Sequence, residues 1–317
     1  MYLGIEIGGT KLQLGLGEGD GGIRALRRAD VNVAGGAEGI RKQILAAVPE
    51  LLASADVALE QVQAVGIGFS GPVDDNTHST IKSHQVSGWE NFPLADWAAQ
   101  ALGRPAVLAN DADAAGLAEA IIGAGKGHSP IFYITIGSGI GGGLIIDGQI
   151  YRAGGRGAAE IGHLRIFDPK TKTIDVLEHH TSGWAIARAP EIATRYRMGH
   201  DVVPFWKSAE ELHALTAADV ARAAAAGNAL ALRILDNAWN ALAEGICQVV
   251  ALLCPRRVVV GGGVSLMGET LLFVPLRAKV AARVFKPFAE CFDIMPAALG
   301  EEVVVHGALA LAKNRSV

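Results

Sequence analysis

The sequence predicts an α/β protein of two domains, and three observations predict it. The chain has 317 residues, more than one typical domain holds. Runs with period-two apolar alternation and runs with helical apolar spacing succeed one another in both halves. One design also occurs twice: "LGIEIGGTKLQLGLGEG" near the start and "YITIGSGIGGGLIIDGQ" further on both read as strand, glycine turn, strand. We read this as an internal duplication, with a period too long for a solenoid. Hydrophobic residues make up 50% and charged residues 19%, so a large core is available and disorder is disfavoured.

In order along the chain, Leu3, Ile5 and Ile7 alternate, then Leu12, Leu14 and Leu16, which gives strand, tight turn and strand over residues 2–17. Ile40, Ile44, Leu45, Val48, Leu51 and Leu52 are spaced for one face of a helix. "VQAVGIGFSG" is a buried strand that runs into a Ser-Gly-Pro turn. "AVLANDADAAGLAEAIIG" is a short strand opening into a helix, with Asn110 and Asp111 at the junction. From Asp168 to Leu215 the chain reads as irregular, with Pro169, Gly183, Pro190 and Pro204. Residues 216–254 are helical, with Asn228 placed to start the longer helix. "RRVVVGGGVS" is a strand opening onto three glycines, 265–285 reads as helix, "FDIMPAAL" as strand and 302–314 as a closing helix.

Several function classes are disfavoured. The formal net charge is -4, without a lysine–arginine run, so no nucleic-acid partner is expected. The three cysteines, Cys247, Cys254 and Cys291, lack zinc or disulfide-framework spacing, which fits a reducing, cytoplasmic setting. The start, "MYLGIEIGGTK", is not a signal peptide, and "AWNALAEGICQVVALLC" is too interrupted by polar residues to span a membrane.

The glycines after "IFYITI" include a G-x-G-x-x-G at Gly137, Gly139 and Gly142. A dinucleotide-binding turn needs a helix straight afterwards, and "GLIIDGQIY" is alternating and β-branched. A hairpin alone does not need so many glycines. The surplus lets another group approach the backbone and leaves N–H groups for an anion. Two such hairpins are suited to one polyphosphate, and Gly261, Gly262 and Gly263 add a third patch at a strand end. At the strand–helix junction, spacing alone leaves Asn110 and Asp111 equally readable as helix cap or as acid–base chemistry.

The segments "EIGGTK", "GIGFSGPVD", "NDADAAGLAE", "TIGSGIGGGLIIDGQIYRAGGRGAAEIGH" and "VVVGGGVS", in this order over nearly the whole chain, resemble the ROK family of sugar kinases and sugar-responsive repressors. The resemblance implies two ribonuclease H-like domains of the actin–hexokinase ATPase fold, with ATP and sugar in a cleft between them. The expected division is 1–113 and 114–301, with a helix over 302–317 returning to the first domain. It implies Asp111 as general base toward the sugar 6-hydroxyl, Asn110 as a sugar ligand, and Ser70 and Gly71 lining the sugar side. Glu160, His163 and Glu178 would grip the pyranose hydroxyls. Gly8, Gly9, Thr10, Lys11, Gly137, Ser138 and Gly139 would border the ATP phosphates, and Gly262 and Gly263 the adenosine. Homodimers or homotetramers are expected.

Two departures stand out against the family pattern. Glu6 replaces the aspartate that helps place Mg2+ with ATP; glutamate adds a methylene, so Glu6→Asp is expected not to lower activity. The interval "HLRIFDPKTKTIDVLE" carries none of the family's zinc-binding cysteines, so no structural zinc is expected. The leading expectation is an ATP-dependent hexose kinase, glucose first among substrates. A catalytically impaired sugar-binding or regulatory protein without a DNA-binding domain is the alternative, and polyphosphate is the alternative donor.

Overall fold

A computed structural model describes residues 1–83, 85–168, 172–195 and 203–315. The strands are β1 (Tyr2–Ile7), β2 (Lys11–Gly17), β3 (Ile23–Asp30), β4 (Val65–Phe69), β5 (Val73–Asp74), β6 (Ser79–Thr80), β7 (Ala106–Asn110), β8 (Ile131–Ile136), β9 (Ile140–Ile146), β10 (Gln149–Ile150), β11 (Arg165–Asp168), β12 (Thr173–Val176), β13 (Arg257–Gly261) and β14 (Asp293–Pro296). The helices are α1 (Gly36–Ser54), α2 (Leu94–Leu102), α3 (Asp111–Ile121), α4 (Glu178–Thr181), α5 (Gly183–Arg195), α6 (Ala209–Ala214), α7 (Ala217–Ala225), α8 (Ala229–Leu253), α9 (Val274–Arg283) and α10 (Val303–Arg315). Among the described residues no helix is long and apolar enough to cross a membrane.

Two five-stranded sheets carry the architecture, ordered β3-β2-β1-β4-β7 and β10-β9-β8-β13-β14. The orders correspond strand for strand, so the duplicated hairpin seen in the sequence is the start of a duplicated sheet. The chain divides into a first unit of residues 1–133, 143–159 and 298–317 and a second of 134–142 and 160–297. This differs from the expected boundary at 113, which falls inside α3. That helix stays whole with the first unit because α10 packs along it. The extreme end of the expected closing helix, 316–317, lies outside the described residues.

In the first unit β1, β4 and nearly all of β2 are buried on both faces, whereas the edge strand β3 is largely exposed. Every residue of β1 is buried, Glu6 included. Leu3, Ile5, Ile7, Leu12, Leu14 and Leu16 join a core with Ile40, Ile44 and Val48 of α1. The opposite face is floored by glycine. A Cβ at Gly4 would meet the Val305 carbonyl at 2.9 Å, and one at Gly66 the Ala308 carbonyl at 1.8 Å. Gly307 returns the favour on α10, where a Cβ would fall 1.8 Å from the Ala114 carbonyl. Small residues thus bring α10 close against both the sheet and α3. The buried Glu119 carboxylate fixes the approach to α10: Oε1 accepts from the Ala298 and Leu299 amides, each at 2.9 Å, and Oε2 from Ala124 at 2.7 Å.

In the second unit, Asn228 caps α8 as expected, its Oδ1 accepting from Leu230 and Ala231 at 3.0 Å. The region expected to be irregular carries regular elements among its described residues, while 169–171 and 196–202 lie outside them. It forms the β11–β12 hairpin, α4, α5 and α6, and Pro190 lies inside α5. Ala185 and Ile186, both buried, anchor that helix despite the missing proline donor. The β11–β12 hairpin occupies the interval where the family pattern places zinc cysteines; its tip, 169–171, lies outside the described residues. The interval 265–285 is helical but broken, with a 3-10 turn and a π turn before α9.

Candidate active site

The first unit builds its half of the site from register. Ile7 of β1 pairs with Phe69 of β4, and Phe69 with Asn110 of β7. The residues that follow, Gly8, Ser70 and Asp111, therefore stand side by side, with strands about 4.8 Å apart. They sit at the carboxyl ends of parallel strands, where open α/β sheets bind ligands. Asn110 is the cap of α3: its Oδ1 accepts from the Ala112 amide at 2.8 Å, and its Nδ2 donates to the Gly71 carbonyl at 2.9 Å. Cap and site function are thus combined, because the same side chain locks the Ser70–Gly71 turn to the junction. Asp111 opens α3, half-buried, and its Oδ1 shares the Ala112 amide at 2.8 Å.

Glu6 is held in a polar chain that the sequence reading missed. Its Oε2 accepts from Gln13 Nε2 at 2.6 Å, and Lys11 Nζ stands 3.3 Å from Oε1. Gln13 and Lys11 both donate onward to the Glu301 carbonyl, at 3.1 and 3.2 Å. Arg28 donates to Gln13 Oε1 at 2.9 Å and pairs with Glu302. Burial pushes the Glu6 carboxyl above its ordinary value; Lys11 and Gln13 oppose this, and the nearby Asp111 charge adds to it. The signal was present in the sequence, since Glu6 and Gln13 are the polar residues at mirrored positions of one hairpin and pair directly across it. Lys11 thus pairs with Glu6 while its side chain stays 42% exposed. Gly9 is overlain by Gln85, whose Oε1 would lie 1.2 Å from a Cβ there.

The second unit brings together Glu160, His163 and Glu178. Glu160 precedes the 3-10 turn Ile161–His163, and Glu178 is the first residue of α4. Glu160 carries a raised pKa, from desolvation first; His163 pulls it down and the Glu178 charge pushes it up. Glu178 also reaches the glycine hairpin. Its Oε2 accepts from the Ile140 amide at 2.8 Å, and a Cβ at Gly139 would fall 2.6 Å from that oxygen. So glycine at 139 makes room for a carboxylate of the same unit. None of Gly137, Gly139 and Gly142 has a left-handed φ.

A cleft of about 630 Å³ opens beside this hairpin, within the size range of small-molecule sites. Gly137, Ser138, Trp184, Thr216, Gly263 and Leu266 are among its lining residues. Gly263 faces open space, whereas Gly262 does not line the cleft: its φ is +82°, and a Cβ would meet the Ile136 carbonyl at 2.6 Å. Gly262 is a turn residue, and its neighbour does the lining. Trp184 and Leu266, exposed apolar surfaces here, were not foreseen; a tryptophan directly after the Ser-Gly that follows α4 was the available sign.

Among the described residues no three His, Cys, Asp or Glu side chains group as a metal cage. Glu6 and Asp111 nevertheless interact electrostatically in the first unit. Mg2+ usually keeps waters and takes one or two carboxylates plus substrate phosphates, so this pair suits an ion that arrives on a nucleotide.

The matched sheets, with glycine turns at their strand ends, define the class: a protein of the actin–hexokinase ATPase fold. The chain belongs to the ROK family, whose profile matches residues 2–315. It is 31% identical to a glucokinase of Thermotoga maritima over 99% of this chain and 97% of the relative. The crystal structure of a ROK hexokinase from Thermus thermophilus superposes with a TM-score of 0.80 at 26% identity, covering 99% of this chain and 98% of that one. A ROK family glucokinase from Streptomyces griseus, solved in complex with glucose and AMPPNP, gives 0.75 at 29% identity, covering 99% of each.

Proposed function

We propose that the chain is an ATP-dependent hexose kinase that transfers the γ-phosphoryl group to the 6-hydroxyl of glucose, with Asp111 as general base. The class, a sugar kinase, rests on the family and on whole-length likeness to glucokinases. The observation that carries the finer reading is the row Gly8, Ser70 and Asp111 at the carboxyl ends of β1, β4 and β7, which sets a carboxylate beside a glycine turn.

Phosphoryl transfer asks for positioning, charge neutralisation and an acceptor for the hydroxyl proton. Asp111 accepts that proton, held at the head of α3 by its helix and by the Ala112 amide. Glu160, His163 and Glu178 accept from and donate to sugar hydroxyls, which suits a ring with polar groups all round. Ser138, with its hydroxyl and amide, borders the phosphates, and the Trp184–Leu266 cleft takes the adenosine. Glu6 and Asp111 are the carboxylates that would hold Mg2+ through its waters, and the ion would supply charge neutralisation at the phosphates when bound with ATP.

A second reading, a sugar-binding protein with impaired catalysis, has one observation in its favour: both oxygens of Glu6 are already engaged, by Gln13 and Lys11. A coupled ADP-release assay over a panel of hexoses with Mg-ATP separates the two. Turnover that depends on sugar and is greatest with glucose supports the kinase. No ADP release with any hexose, together with calorimetric sugar binding, supports the second reading.

A further inference from the structure

Cys254 and Cys291 are far apart in sequence and meet at one end of the second sheet. Cys254 ends α8 in the left-handed conformation, φ 41°, and lies just ahead of β13. Cys291 follows the turn after α9 and lies just ahead of β14. β13 and β14 are parallel neighbours with Arg257 opposite Asp293, so both cysteines approach the same sheet edge. That register is clamped next to the pair: Arg257 Nε and Nη2 donate to the two Asp293 carboxylate oxygens, each at 2.7 Å. The two thiols are within interaction range of each other, both are free, and both are partly exposed.

We propose that Cys254 and Cys291 form a thiol-modification site that closes to a reversible intramolecular disulfide when the protein meets a hydroperoxide. The third cysteine does not belong to it. Cys247 lies along α8, its Sγ 3.9 Å from the Val280 carbonyl, and burial pushes its thiol up to about 11. Within the pair, desolvation first and then Cys291 itself hold the Cys254 thiol above its ordinary value. Cys291, whose Sγ makes an exposed contact with the Pro287 carbonyl at 3.8 Å, is the first nucleophile of the pair. Its thiolate attacks a peroxide oxygen, the O–O bond breaks, and an alcohol or water leaves with a sulfenic acid on Cys291. The Cys254 sulfur then attacks Cys291, forming S–S as S–O breaks, and its proton leaves with the oxygen as water. The peroxide is reduced by two electrons and the dithiol oxidised by two. The bond closes a loop from 254 to 291 that carries β13, the Gly261–Gly263 turn and α9.

The test is a titration of the full chain with hydrogen peroxide, read by thiol count after denaturation, intact mass and melting midpoint. Wild type is expected to fall from three titratable thiols to one. Its mass should drop by about 2 Da. Its midpoint should rise by several degrees, all reversed by dithiothreitol. Cys247→Ser should still lose two thiols. Cys254→Ser should lose none to a disulfide and should instead leave a Cys291 sulfenic acid that dimedone traps. Retention of all three thiols, a gain of oxygen without the mass loss, chains coupled to one another, or a Cys254→Ser protein that still loses two thiols overturns the assignment.

Discussion

Glu6 shows how a single methylene changes an expectation. From sequence, a shorter aspartate there is expected to be harmless or helpful. The structure supports a site rebuilt around the longer side chain, because Gln13 Nε2 meets Glu6 Oε2 at 2.6 Å. Glu6→Asp withdraws the carboxylate by about an ångström and is expected to lower kcat/KM roughly tenfold, by breaking a charge-assisted bond. Steady-state kinetics with Mg-ATP checks this, and unchanged kcat/KM would return the question to the sequence expectation. Gly139→Ala places a Cβ against Glu178 Oε2. The sugar KM is expected to rise roughly tenfold with a smaller change in kcat, matching Glu178→Gln, since both loosen one carboxylate. Asp111→Asn should lose about 10²–10⁴ in kcat while calorimetry still detects sugar binding. The motif residues were legible because each is a chemical type at a strand end. The Gln13 relay and the Glu178–Ile140 bond were less so, because they are contacts between residues that only the fold makes neighbours.

At the scale of elements, the glycine floor under α10 makes a stability prediction. Gly307→Ala drives a methyl into the Ala114 backbone, which has no side-chain end to yield, and is expected to cost about 3 kcal/mol. Glu119→Gln keeps an acceptor for only part of the set formed by Ala298, Leu299 and Ala124, and sets an amide N–H against a backbone N–H. About 1–3 kcal/mol is expected, read as a lower urea midpoint with an unchanged slope. Elements with short-range signals were legible: the two hairpins, the Asn228 cap and the strand–helix junction at Asn110. α5 was not, because Pro190 is a local breaker overruled by burial of Ala185 and Ile186. Nor was β3, whose exposed, charged "IRALRRAD" gains its strand from pairing with β2. The burial of the second face of β1 was not legible either, because a glycine between two apolar residues looks like a polar position until a helix lies on it.

At the scale of the whole molecule, the raised carboxyls set a pH dependence. Glu160 titrates above its ordinary value, and a protonated Glu160 is a poorer acceptor for a sugar hydroxyl. The sugar KM should therefore climb as pH falls through that raised pKa, with Glu160→Gln removing the climb. Glu6 affects stability with a definite sign. Its folded pKa lies above the unfolded one, so its contribution is fully present below the unfolded value and is lost as pH rises through the folded value. Glu6→Gln should flatten that segment of the stability profile, measured by urea midpoints across pH. The correspondence of the two sheets, by contrast, was visible from the hairpins alone, because a strand order is written largely in where the apolar runs fall.

The seating of α10 on glycine carries a consequence for biosynthesis. β1, β2 and β4 leave the ribosome long before residues 303–315 are made, and until then one side of their sheet is a shallow trough of bare main chain. The nascent first unit has to wait, with that trough wet or shielded by a chaperone, while the second unit is translated. Its last lock arrives from the far end of the message, so premature termination upstream of α10 would strand an otherwise complete sheet.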